Sequence, residues 1–89
     1  MPLKSPRFSS NPRLQRASEN NPALARGERG DAVRLLQQAL IDTGFPMPLS
    51  TRRFGSPDGI YGQETVTQVR AFQTKHRLSV DGSAGRQTL

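Results

Sequence analysis

Cysteine is absent from this chain, and histidine occurs once, at His76. Neither a disulfide framework nor a thiolate or histidine-rich metal centre can be assembled from these residues, so no metal or other cofactor is expected. Tryptophan is also missing, and no apolar run approaches the ~18 residues that a membrane-spanning helix requires. Membrane insertion is therefore not expected. Acids are scarce, with seven against 13 bases. Catalysis needs a positioned nucleophile or an acid–base pair. Here there is no thiol, the one imidazole sits in a basic stretch, and Asp31, Asp58, Glu64 and Asp81 all fall at turns or helix starts. The pattern is not that of an enzyme.

What is present is positive charge, turn residues and a repeat. The net charge is +6, of which residues 1–22 carry +3 (four bases against Glu19) and residues 23–89 the other +3. Such a surplus attracts anionic partners at long range. The aromatics do not interleave with the bases as stacking platforms would, so nucleic acid is not the favoured partner. Eighty-nine residues make at most one domain. Residues 1–22 are rich in Pro, Ser, Asn and Arg and show no periodicity, so an extended or disordered basic arm is expected there, with residues 23–89 forming the domain.

Two echoes organise that domain. Asp58-Gly59-Ile60-Tyr61-Gly62-Gln63-Glu64-Thr65 returns as Asp81-Gly82-Ser83-Ala84-Gly85-Arg86-Gln87-Thr88, 23 positions on, and Val33-Arg34-Leu35-Leu36-Gln37 returns as Val69-Arg70-Ala71-Phe72-Gln73, 36 positions on. Each Asp-Gly is a turn signature. Val33, Leu36 and Leu40 form one helical stripe that Gly44 should terminate, and Val66, Val69 and Phe72 form a second that should end near Lys75 or His76. Gly85 should open a third helix cut short at Leu89, as in a piece of a longer polypeptide. Residues 46–57 hold three prolines and a glycine, which argues against a regular helix and leaves a long loop, with a short strand or hairpin as an option. The fold expected is all-α: a small three-helix orthogonal bundle with long connecting loops, preceded by the irregular arm. The repeated Asp, Gly and Thr read as structural, and Gln37 and Gln73 as amides that pin the turn backbones.

Arg29-Gly30-Asp31-Ala32-Val33, Leu36-Gln37, Asp58-Gly59-Ile60-Tyr61-Gly62, Val69-Arg70-Ala71-Phe72-Gln73, Val80-Asp81-Gly82 and Gly85-Arg86-Gln87-Thr88 together resemble the peptidoglycan-binding domain family of three-helix modules, over about residues 24–89. The resemblance implies a non-catalytic module that holds a wall hydrolase, phage lysin or related protein on bacterial cell wall, with peptidoglycan or its stem peptides as partner. This chain departs from the family pattern in three ways: a longer connection before the first Asp-Gly, Arg77 where a glycine is usual, and the shortened third helix. Candidate ligand contacts are Arg29, Arg52, Arg53 and Arg86, whose guanidinium groups suit stem-peptide carboxylates. Gln63 and Tyr61 join them because they differ between the two copies. Tyr61 either stacks on a sugar face or packs as a core ring.

The start, Met1-Pro2-Leu3-Lys4-Ser5-Pro6-Arg7-Phe8, lacks the apolar stretch of a Sec signal. Synthesis in the bacterial cytoplasm is expected, with action at the wall or in a released particle such as a phage or contractile injection device. The alternative expectation is a protein–protein assembly module, with residues 1–22 docking on a partner complex and Leu49 and Phe54 as loop anchors.

Overall fold

The computed structural model describes residues 11–20, 22–52, 55, 57–85 and 88–89. Four helices are present among them: α1 (Pro12–Ser18), α2 (Asp31–Asp42), α3 (Pro48–Thr51) and α4 (Gln63–Lys75), with no strand beyond two isolated bridges. The all-α class expected from the sequence is observed.

The two long helices form where the apolar stripes place them. α2 buries Ala32, Val33, Leu36, Gln37, Ala39 and Leu40, and α4 buries Thr65, Val69, Phe72 and Gln73. They pack on each other, with Phe45 and Phe72 meeting edge-to-face at 5.6 Å between ring centroids. Both helices end alike. After α2, Phe45 N–H donates to the Leu40 carbonyl (2.9 Å) and Gly44 N–H to that of Ile41 (3.1 Å). After α4, Leu78 N–H donates to Gln73 (2.8 Å) and Arg77 N–H to Thr74 (3.2 Å). This is the paired-bond termination that needs a left-handed residue just past the helix. Gly44 supplies it in one case and Arg77, at φ 58°, in the other.

Two elements differ from the sequence expectation. α1 lies inside the stretch expected to be an extended or disordered arm. Its seven residues are too few to show periodicity, and a helix that short has no independent stability. Local chemistry and packing make it: the Asn11 side chain accepts from Leu14 N–H (3.0 Å), Pro12 takes a first-turn position that needs no donor, and Leu14 and Ala17 are buried in the core. Arg13 then clamps it, donating twice to the Glu28 carboxylate at 2.7 Å and once to the Pro22 carbonyl at 2.8 Å. Residues 1–10 lie outside the described residues.

The second difference is α3, a single turn within the proline-rich 46–57 loop. Pro48 occupies its first position, where the missing N–H costs nothing. Glu64, from the first turn of α4, accepts from the next two amides, Leu49 N–H (2.9 Å) and Ser50 N–H (2.7 Å). The third helix expected from Gly85 falls partly on Arg86 and Gln87, outside the described residues. Thr88 and Leu89 N–H both donate to the Gly85 carbonyl, which makes a turn there.

A connector ahead of α2, turning at Arg26 and Gly27, ties these pieces together. Leu24 exchanges both backbone bonds with Ala84 (2.9 and 2.7 Å). Gly27 N–H donates to Tyr61 and Tyr61 N–H to Glu28, both at 2.9 Å, and Gly30 N–H reaches Gly59 at 3.0 Å. Both Asp-Gly loops are thereby stitched to one backbone segment.

Candidate ligand-binding cleft

The repeated phrase folds twice into the same hydrogen-bonded unit. In the first copy the Gln37 side-chain N–H₂ donates to Asp58 Oδ1 (3.2 Å), the Ile60 carbonyl (3.0 Å) and Thr65 Oγ1 (3.0 Å), while its oxygen accepts from Gly59 N–H (2.9 Å). In the second, Gln73 donates to Asp81 Oδ1 (2.9 Å), the Ser83 carbonyl (3.0 Å) and Thr88 Oγ1 (3.0 Å), and accepts from Asp81 and Gly82 N–H, both at 3.1 Å. Each aspartate also accepts from the amide two residues on, Ile60 or Ser83, at 2.9 Å. No buried side-chain polar atom among the described residues lacks a partner. The two glutamines hold the turns, as their place on the apolar faces implies.

The two copies part company at the surface. Over the first loop lies Arg34, whose Nε donates to the Pro57 carbonyl (3.4 Å) and whose NH1 pairs with Asp31 (2.7 Å). Beside the second loop a cleft of about 280 Å³ opens, lined by Asn20, Gln73, Ser79, Asp81, Ser83, Gly85 and Thr88. Asn20 reaches it from the turn after α1, in a left-handed conformation at φ 58°. Its carboxamide oxygen occupies the space that a side chain on Gly85 would need, so glycine at 85 is what lets the α1 segment close this wall. A more apolar recess of about 370 Å³ lies between the end of α2 and α3, against Ile41, Pro46, Met47, Pro48 and Pro57.

Tyr61 is not at an exposed loop tip. It is 1% exposed, and its hydroxyl donates to the Gly82 carbonyl at 2.6 Å. Burial, with the nearby Asp81 carboxylate, pushes its phenol above the usual tyrosine range. The core-ring reading holds, and no ring face is presented to a sugar. Its counterpart Ala84 is buried, is paired through its backbone to Leu24, and has no polar group to make a second such bond. Of the other sequence-derived candidates, Arg29, Arg52 and Gln63 are exposed, and none of the three lines the polar cleft. Arg29 and Gln63 flank the first loop: Arg29 bridges Ile60, and the Gln63 side chain accepts from Arg26 NH1 at 3.2 Å and donates to Thr67 at 3.2 Å. Arg52 caps the far end of α3. Arg53 and Arg86 lie outside the described residues. The cleft residues that sequence reasoning passed over are Asn20, Ser79 and Ser83; Asp81, Gly85 and Thr88 stood in the repeated phrase but read as structural only.

The peptidoglycan-binding domain family matches residues 29–89. The chain belongs to that family. The matched stretch of this peptidoglycan-binding domain is a binding domain, not a catalytic one. The chain is 38% identical over 74 residues to the N-acetylmuramoyl-L-alanine amidase CwlL of Bacillus licheniformis, covering 83% of the chain and 19% of that protein. It is 38% identical over 69 residues to the spore cortex-lytic enzyme of Bacillus cereus, covering 78% and 24%. A third relative is the type VI secretion system spike protein VgrG3 of Vibrio cholerae, at 31% over 99 aligned positions, covering 98% of the chain and 9% of that protein. The crystal structure of the SleB N-terminal domain superposes with a TM-score of 0.61 at 37% identity, over 75% of this chain and 82% of that one. The chain thus spans a quarter or less of the curated relatives it matches. Family membership implies action at the cell wall. No helix among the described residues is long and apolar enough to cross a membrane.

Proposed function

We propose that this peptidoglycan-binding domain anchors a larger protein on bacterial cell wall and takes the wall polymer into the polar cleft beside its second Asp-Gly loop. The observation that carries this reading is the cleft itself, in a domain of this family. Hydroxyl, carboxamide and carboxylate groups from three separate segments converge there at a size suited to a sugar or a short peptide. Arg29, Arg52 and Gln63 supply outlying polar contacts, and Arg53 and Arg86 add guanidinium groups for stem-peptide carboxylates. The groove is open, so affinity per site is weak and the repeating polymer adds avidity. Sedimentation with purified sacculi tests the proposal. Retention at low salt is expected; no retention, with a known wall binder retained alongside, contradicts it.

A second reading concerns what the domain is part of. The similarity to VgrG3 extends over nearly the whole chain, well ahead of residue 29 where the family match begins. This supports carriage on an injection particle, with the arm of residues 1–22 as the docking segment. Residues 11–22 are a poor choice for a deletion, because Leu14 and Ala17 are core. A chain lacking residues 1–10 should keep its retention on sacculi and lose association with the particle. Unchanged incorporation counts against this reading.

A further inference from the structure

Asp81 brings the only charge among the described residues lining the polar cleft. Its carboxylate is half used. Oδ1 accepts from Gln73 and from Ser83 N–H, and Oδ2 has no partner among the described residues. No cationic group among the described residues pairs with it. Arg70 lays its aliphatic stem on Gly82, with Cγ and Cδ against the place a Cβ there would take, and forms no ion pair among the described residues. The first loop offers no such opening, since Asp58 is half-buried and Arg34 covers the turn. A fixed carboxylate in a cleft that Ser79 and Ser83 also line is a receptor for a primary ammonium, whose N–H donors suit carboxylate and hydroxyl acceptors.

Resting on the wall-binding proposal, we infer that the cleft recognises the free primary ammonium of a stem-peptide diamino acid, with Asp81 as the residue that pairs with it. That amine is charged only where it has not been consumed in a cross-link. Cross-linking turns it into an amide, which cannot bring a positive charge to Asp81. The domain therefore prefers sparsely cross-linked wall. The basic surface and the acidic cleft have separate roles. The +6 net charge draws the domain towards the carboxylates of the polymer. The single local carboxylate then discriminates among the groups within reach. Asn20, which completes the wall of the cleft, lies ahead of the family-matched stretch, so this shape depends on the α1 segment as well.

The test uses the whole 89-residue chain. Binding is measured on purified diaminopimelate-type sacculi, native and after acetic anhydride has capped their free amines. Wild type should bind the capped material about fivefold more weakly, the size expected for one exposed charge-assisted contact. Asp81→Asn keeps an oxygen to accept from Gln73 and Ser83 while losing the charge. It should bind native sacculi with that same reduced affinity and be indifferent to capping. Asp58→Asn, the same change in the closed first loop, should behave as wild type. Equal binding of wild type to native and capped sacculi overturns the inference and leaves the wall-binding proposal standing. No binding to native sacculi overturns both. If Asp81→Asn does not fold by circular dichroism, the capping comparison on wild type still decides.

Discussion

The Tyr61 hydroxyl donates to the Gly82 carbonyl across 2.6 Å, so a side chain from the first Asp-Gly loop holds the backbone of the second. The two loops are quasi-equivalent by sequence and are joined by one bond that only one of them can make. Because Gly82 is followed by the cleft residues Ser83 and Gly85, the same bond also sets the position of the cleft floor.

Removing that hydroxyl tests the link. Tyr61→Phe leaves a buried carbonyl without its donor and should cost about 1–2 kcal/mol. For a domain of this size that lowers Tm by roughly 4–8 °C per kcal/mol. The phenol is raised in the folded state and has its ordinary pKa, near 10, when unfolded. Its stabilising contribution is therefore complete below about pH 10 and is lost as pH climbs towards the folded value. This is the one tyrosine in the chain, so Tyr61→Phe should lose less stability than wild type between about pH 9 and 11. Melts across that range should show the gap between the two narrowing. A constant gap contradicts the assignment.

Gln73 bonds four residues of the second loop at once, Asp81, Gly82, Ser83 and Thr88. Gln73→Ala strands Asp81 and Gly82 N–H and the Thr88 hydroxyl, and should destabilise by about 3 kcal/mol in chemical denaturation. Gln37→Ala should cost a similar amount, since it removes the matching set. The two glutamines were readable from sequence because a polar amide at an apolar helical position must be satisfied by something, and the adjacent turns were the available partners.

Leu14 separates a docked helix from a loose arm. Leu14→Ala should cost about 2–4 kcal/mol, since the side chain is fully buried. An arm lying off the domain would leave Tm unchanged.

Arg77 takes the left-handed position that ends α4. Arg77→Gly should relieve the side-chain crowding there, partly offset by the greater freedom of glycine in the unfolded chain, for a net gain of about 0.5 kcal/mol. A small rise in Tm, with wall retention unchanged, is the expected readout.

The helices α2 and α4 were legible because each carries apolar residues at three- and four-residue spacing over twelve or more positions. α1 and α3 were not, for a common physical reason. Each is a turn or two of helix that starts with a proline and is held by a group distant in sequence, Glu28 through the Arg13 side chain in one case and Glu64 through the Leu49 and Ser50 amides in the other. Tyr61 looked like a ligand contact because it differs from Ala84, but the difference reflects the asymmetric bond between the loops. Asn20 carries no sequence signal at all: its place in the cleft follows from a left-handed backbone and from the absence of a side chain at Gly85.

On the proposal above, wall polymer occupies the cleft beside the second Asp-Gly loop. Amide chemical shifts recorded while soluble peptidoglycan fragments are titrated into the 89-residue chain test it most directly. Saturable shifts concentrated at Asn20, Ser79, Asp81, Ser83, Gly85 and Thr88 are expected. Saturable shifts confined to the first loop, around Arg29, Ile60 and Gln63, or no shifts at all, would contradict it.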